Sequence, residues 1–385
     1  MQTLTTPERT TPAADGRSAS LLSPGLVALE GGATHRGMLR GAGTSAEGDL
    51  IFTTAATGWG EILTDPSYAG QMVVLTHPMA GSYRIDPGDL ESSRVHARAL
   101  IVTRLVVPPA GPGLDLEGMA RDAGIPILTG VDTRALTLEL RRGAARRAVV
   151  RRAAGGATPA VAAARASAAW ESVDHVAAVA TEQPFHVPPV GERRLRVVLI
   201  DYGVKRSLLA ALAARGAEIV GLPPGAAADD VAAIRPDLVV LSPGPGDPAR
   251  MERQIAVVRQ LSSGAIAGGP RILGICLGHQ LLALAAGCQT QRLSVGHHGG
   301  NHAVIEVATG RVDIGAHNHE VAVLARPELA AAGFAISHRD LNDDTVEGLV
   351  HRSGRIASVQ FHPEGAPGPT DGARVLDAAI QAATR

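Results

Sequence analysis

Cysteine is nearly missing from this chain, with Cys276 and Cys288 the only two among 385 residues. Two thiols cannot build a disulfide framework, and they suit a reducing cytoplasm in which one stays free for chemistry. Lysine is scarcer still, Lys205 standing alone. That excludes a GxxxxGK(S/T) phosphate loop and leaves little scope for Schiff-base chemistry, so any ATP the reaction needs is expected on another chain. The formal net charge is -1 and no run of like charges interrupts the sequence, which removes the electrostatic grounds for nucleic acid or an anionic membrane as partner. Long apolar runs are also lacking. The most apolar stretch, Arg271 to Cys288, is broken by His279 and Gln280, too interrupted to cross a bilayer. The first twenty residues are polar and carry Glu8 and Asp15, unlike a secretory leader. These absences point to a soluble protein acting on small molecules or other proteins.

What is present is an ordered series of segments. A chain of 385 residues, 45% of them hydrophobic, is long enough for two cores of roughly 150 to 200 residues each. Residues 1–22 read as a disordered tail. Residues 23–152 hold short apolar runs, among them LIFTT, MVVLTH and ALIVTRLVV, separated by Gly, Pro and Asp-rich turns, which predicts a β-rich domain with a few helices. Residues 153–194 are Ala-rich and then Pro-containing, a helix followed by an interdomain linker. From Leu195 to the end, strands such as RVVLID, EIVGL, DLVVLS and RILGI alternate with helical stretches, predicting an α/β fold with a doubly wound, mostly parallel sheet. HAVIEVAT, EVAVL, FAISHRD and RIASVQFH are expected to form its antiparallel edge, ahead of a last helix from about Asp371 to Ala383.

One segment of the second domain carries a chemical signature. Gly274-Ile275-Cys276-Leu277-Gly278 is a G-x-C-x-G at a strand-to-helix junction, the nucleophile-elbow pattern with sulfur in place of oxygen. Small flanking residues permit a tight turn, and the helix that starts there is expected to favour a thiolate. Such a nucleophile needs a base and a group to orient that base. His362 falls at the end of the strand before HPEGAPGP, with Glu364 two residues on. The N–H of Leu277, and that of Gly244 in the loop Ser242 to Pro248, are candidate donors to an oxyanion. Cys288 reads as a buried structural thiol. GHHGGNH, from Gly296 to His302, has no carboxylate or cysteine at ligand spacing and reads as a structured loop, so no metal site is assigned. Gly41-Ala42-Gly43 lies in no βαβ unit and gives no dinucleotide site. Asp201-Tyr202-Gly203 is expected to cap a helix.

At this point the residues resemble the class I glutamine amidotransferases. GICLGHQLLALAAG, LSPGPGDP, GHHGGNH and HPEGAPGP are similar to motifs of that domain, while TGWGEILTDPSYAGQ and GVDTRALTLELR resemble blocks of the carbamoyl-phosphate synthase small-subunit family. The likeness runs from about Gly25 to the C-terminus. It implies Cys276 as nucleophile, His362 as acid and base, Glu364 as its orienter, and glutamine contacts at Leu277, Gln280, Gly244 and Gly246. It further implies glutamine hydrolysis, with ammonia passed to a large subunit that makes carbamoyl phosphate. That partner would hold the ATP and Mg, and this chain would need no cofactor. A divergent paralogue with weak or no glutaminase turnover, or one feeding a different synthetase, is the alternative. Departures from the family pattern fall among the expected glutamine contacts: Ala55 where a serine is common, and Asn318-His319-Glu320-Val321 where the family has N-H-G followed by an aromatic. They imply a weakened or partner-dependent glutaminase.

Overall fold

The computed structural model describes residues 22–143 and 146–385. All but the last residue of the expected tail lies outside the described residues.

The first domain is a closed seven-stranded barrel. Its strands are β1 (Ser23–Leu29), β2 (Thr34–Arg40), β3 (Ser45–Thr53), β4 (Gln71–Leu75), β5 (Ala99–Val102), β6 (Ile127–Thr129) and β7 (Arg147–Arg152), hydrogen-bonded in the order β1-β2-β6-β5-β4-β3-β7. Alternation along the strands sorts the apolar residues onto two faces. Leu50, Met72, Val74, Ile101 and Leu128 join Val27, Leu39 and Val150 in one cluster to which every strand contributes, and only a barrel interior can be shared in that way. Their neighbours Ile51, Val73, Leu75, Leu100 and Val102 face outward beneath α1 (Trp59–Thr64) and α2 (Leu116–Asp122). Leu136 and Leu140 of α3 (Thr133–Arg141) belong with the interior set.

The stretch read as helix and linker contains α4 (Ala157–Ala166), α5 (His175–Val179) and a strand, β8 (Phe185–Val187). β8 pairs antiparallel with β10 (Ala217–Leu222) and forms one edge of the second sheet. Sequence reading gave this strand no role, since three residues are too few for a period-two pattern to register.

The second domain is built on a ten-stranded sheet in the order β14-β13-β15-β16-β17-β12-β11-β9-β10-β8. Its central strands β9 (Leu195–Ile200), β10, β11 (Leu238–Leu241), β12 (Arg271–Ile275) and β17 (Ile356–Val359) run parallel. They are buried on both faces, as strands flanked by helices must be. Val198, Ile200, Val239 and Leu241 point to one apolar cluster, while Val197, Leu199, Leu238 and Val240 point to the other. The helices are α6 (Arg206–Ala213), α7 (Ala228–Ile234), α8 (Glu252–Ile266), α9 (Leu277–Ala285), α10 (Pro327–Ala331) and α11 (Ala373–Ala383). The antiparallel part holds β13 (Thr290–Glu306), β14 (Val312–Val323), β15 (Phe334–Asp340) and β16 (Val346–His351).

Three local readings change. RIASVQFH, expected in the antiparallel edge, supplies β17, which runs parallel to β12 and antiparallel only to β16; a short apolar run does not disclose the direction of its neighbours. GHHGGNH is not a loop but the middle of β13, paired with β14 through His297–His319, His298–Asn318 and Gly299–His317, with register shifts on either side. Those irregularities break the alternation that would have revealed a strand. Asp201 does not cap α6, whose first turn is preceded by Lys205; its Oδ1 instead accepts from the N–H groups of Gly203 and Val204 and its Oδ2 from Thr181.

Candidate active site

Cys276 sits between β12 and α9 with φ 51 and ψ -105, a backbone conformation that a side-chain-bearing residue holds only when its surroundings impose it. The glycines on either side show how they do so. A Cβ on Gly278 would lie 2.2 Å from the carbonyl oxygen of Leu241, and one on Gly274 would lie 2.6 Å from Leu282 and 2.7 Å from the Gly278 oxygen. Only with both positions bare does α9 pack down on β11 and β12, and that packing lifts Cys276 to the carboxyl edge of the sheet. The N–H of Cys276 donates to Val359 (2.9 Å) on the neighbouring strand. Leu277 begins the helix, so its N–H is one of the first-turn donors that no helical carbonyl accepts.

β17 leads directly to His362. Its N–H donates to the Ala316 oxygen of β14 (2.8 Å), and its Nδ1 donates to Glu364 (2.8 Å). Both side chains are buried, Glu364 completely. Burial resists charge on His362, but the Glu364 carboxylate and contact with the Cys276 thiol outweigh both burial and the opposing charge of Lys205, and raise its proton affinity. Nε2 of His362 makes no well-formed hydrogen bond among the described residues. A catalytic contact of this kind tightens when substrate enters.

The sole lysine completes the group. Lys205 is buried, its Nζ 2.9 Å from Glu364 and 3.7 Å from Glu91 of the first domain, and it also donates to the Ala366 oxygen. Burial acts against both charges of the Lys205–Glu364 pair. Glu364 and Glu91 nevertheless keep the amine protonated, and Lys205 and His362 hold the Glu364 carboxyl far below its usual range. Sequence reading missed Lys205 as a site residue, although its solitude in the chain was the available signal. Cys288, by contrast, lies in the core beneath α9, where burial pushes its thiol up.

A cavity opens beside the sulfur. Gly244, Gly246, Gln280, Asn318, Glu320 and Val321 all line it with Cys276. Gly244 has no room for a side chain, since a Cβ would meet the Tyr202 oxygen at 2.3 Å, and Gly246 has φ +107. Gln280 Nε2 donates to the Val321 oxygen (2.7 Å) and to Gln360 (3.0 Å). The Asn318 amide donates to Asp65 of the first domain (3.1 Å) and its oxygen faces His298 (2.9 Å). Glu320 is ion-paired with Arg146, lies 2.8 Å from His298 Nε2 and is 3.7 Å from Arg292, so its charge is already matched by protein cations.

Ala55 is not among the lining residues; it packs against the apolar cluster beneath α1. The first domain instead contributes Ser67 and Gln71, and the linker contributes Trp170. The Ser67 hydroxyl is buried with no hydrogen-bond partner among the described residues. Ser67 belongs to TGWGEILTDPSYAGQ, so the motif was noticed while its outward hydroxyl was not. A buried thiol lining the cavity, an imidazole in contact with it and held by a fixed carboxylate, and the N–H donors that begin α9 are what acyl transfer from an amide requires.

Comparison with known proteins agrees with this chemistry. Residues 198–382 match the family described as glutamine amidotransferase class-I, and residues 27–150 match carbamoyl-phosphate synthase small chain, CPSase domain. A carbamoyl phosphate synthase small chain of Symbiobacterium thermophilum is 40% identical over 356 residues, covering 91% of this chain and 96% of that one. The chain belongs to the carbamoyl-phosphate synthase small-chain family. A second small chain, from Chlorobaculum tepidum, is 39% identical over 90% of this chain and 94% of its own length. A pyrimidine-specific small chain from Halalkalibacterium halodurans is 37% identical over 92% and 95%. The class I domain makes this family member a glutamine-hydrolysing amidotransferase. No helix among the described residues is long and apolar enough to cross a membrane.

Proposed function

We propose that Cys276 is the nucleophile that hydrolyses L-glutamine in this chain. The observation that carries the proposal is the contact of His362 with Cys276, which lines the cavity, and with Glu364. The sulfur adds to the carboxamide carbon, and the N–H groups of Leu277 and Gly244 receive the developing oxyanion. His362, holding a proton through Glu364, gives it to the departing nitrogen, so the C–N bond breaks and ammonia leaves. Water then adds to the γ-glutamyl thioester, its proton passes to His362, and glutamate departs as the thiol reforms. Lys205 holds Glu364 as an anion. Ser67, Gln280, Asn318 and Gly246 grip the amino-acid end.

Ammonia formed here is consumed by an ATP-using carbamoyl-phosphate synthase large subunit, which joins it to bicarbonate; the resemblance of the first domain supports this partner over other synthetases. Two free thiols accord with a cytoplasmic setting. A reading in which the chain only binds its partner would rest on the carboxylate of Glu320 in the cavity wall. Its pairing with Arg146 and the approach of Arg292 support turnover over that reading.

Glutamate release should be measured with the chain alone and with a large subunit. Cys276→Ala is expected to lower it by about a thousandfold or more. Turnover unchanged in that variant rejects the nucleophile assignment.

A further inference from the structure

Behind the cavity wall, the alternation of β14 sends His317 and His319 to the face opposite Asn318 and Glu320. Three strands meet there. His297 of β13 is directly paired with His319 across the ladder, and Glu347 comes from β16. All four side chains are buried, Glu347 and His317 completely. Nδ1 of His317, Nε2 of His319, Nδ1 of His297 and the Glu347 carboxylate turn toward one point, every donor within 4.8 Å of the others.

The spacings do not suit a hydrogen-bonded cluster. Glu347 oxygens lie 3.6 Å from His317 Nδ1, 3.8 Å from His319 Nε2 and 3.7 Å from His297 Nδ1, all beyond hydrogen-bond reach. Only His317 Nδ1 and His319 Nε2, at 3.2 Å, come within it. Neighbouring ligands of a tetrahedral ion with bonds of about 2.0–2.1 Å stand about 3.4 Å apart, in the midst of these values. His297 Nδ1 and Glu347 Oε2 have no hydrogen-bond partner among the described residues, although both are buried.

The outer partners of two of the three rings give the same answer, while Nε2 of His317 has no hydrogen-bond partner among the described residues. Nε2 of His297 faces the Asp343 carboxylate (2.9 Å), and Nδ1 of His319 faces the Val321 carbonyl (3.0 Å). A carboxylate and a carbonyl can only accept, so each ring directs an N–H outward and leaves its inner nitrogen as the one that can ligate once deprotonated. That is the arrangement of metal-ligating histidines, whose second nitrogen donates to an oxygen.

We propose that His297, His317, His319 and Glu347 bind one divalent cation of the zinc class. Three imidazoles and a carboxylate suit that borderline ion, and four protein ligands make the site closed and structural. The ion ties β13, β14 and β16 together immediately behind Asn318 and Glu320, and so fixes the strand that forms the cavity wall. The site rests on the fold alone, and its test is independent of glutamine turnover.

Full-length protein stripped with a chelator is titrated with Zn2+ against a chromophoric competitor, and separately with Co2+ while visible absorption is followed. One equivalent per chain, intense ligand-field bands of four-coordinate Co2+ and a rise in Tm on zinc addition are expected. Glu347→Gln and His317→Asn should abolish the bands. Asp343→Asn, which neutralises the carboxylate behind His297 and leaves an oxygen that can still accept from Thr345, should weaken zinc binding about 10- to 100-fold and keeps the comparison available if the buried variants do not fold. Absence of stoichiometric binding by the wild-type chain, or full binding retained in these variants, overturns the proposal in favour of a hydrogen-bonded histidine cluster only.

Discussion

Glu364 does two things through one carboxylate: it holds the proton on His362 and matches the charge of Lys205. Replacing it with glutamine should therefore show in two measurements. His362 has a raised proton affinity, so the imidazolium persists as pH climbs past its ordinary value of about 6.5 and is lost only on passing the raised one. Glu364→Gln removes the largest cause of that rise, and the alkaline limb of the kcat–pH profile should move to lower pH. The same variant strands a buried ammonium near a more distant Glu91, at about 3 kcal/mol of stability, read by urea denaturation. Ser67 is a simpler case. If its free hydroxyl meets the substrate, Ser67→Ala should raise KM for glutamine about tenfold and leave kcat nearly unchanged, while Ala55→Ser should change neither.

At the scale of the element, the elbow stores strain at its one positive-φ cysteine. Cys276→Gly and Cys276→Ala both lose the thiol, but only glycine relaxes at φ 51, ψ -105. The glycine variant should be the more stable of two inactive proteins by about 1–3 kcal/mol, which thermal melts can resolve. This element was legible from sequence because its determinants are contiguous: two glycines, a cysteine and the apolar helix after it. His362 and Glu364 were legible for the same reason. β3, β4 and β5 of the barrel and β9 to β12 of the parallel sheet followed from apolar runs between turn residues, whereas the closing of the barrel and the parallel setting of β17 did not. Ser67, Lys205 and the His297–His317–His319–Glu347 cluster were not, because each owes its place to segments far apart in the chain. Glu347 lies fifty residues from His297, and β16, which carries it, was not assigned as a strand. Ala55, expected among the glutamine contacts, packs against the apolar cluster beneath α1; a motif places a residue along the chain and does not say which face it takes.

In the whole molecule the site lies on the seam between the domains. Asp65 receives the Asn318 amide, Arg146 pairs with Glu320, and Arg292 bridges Asp49 and Glu171. Glu91, 2% exposed, accepts from the N–H and hydroxyl of Ser207 as well as facing Lys205. Glu91→Ala should cost about 3 kcal/mol and, because it cuts a contact between domains rather than within one, should begin to split a single calorimetric transition into two. The seam also carries Lys205, the one lysine of the chain, with its side chain 1% exposed. Acylating reagents applied to the folded protein therefore find no exposed side-chain amine, and a linkage that captures a partner chain cannot be made through a lysine on this side.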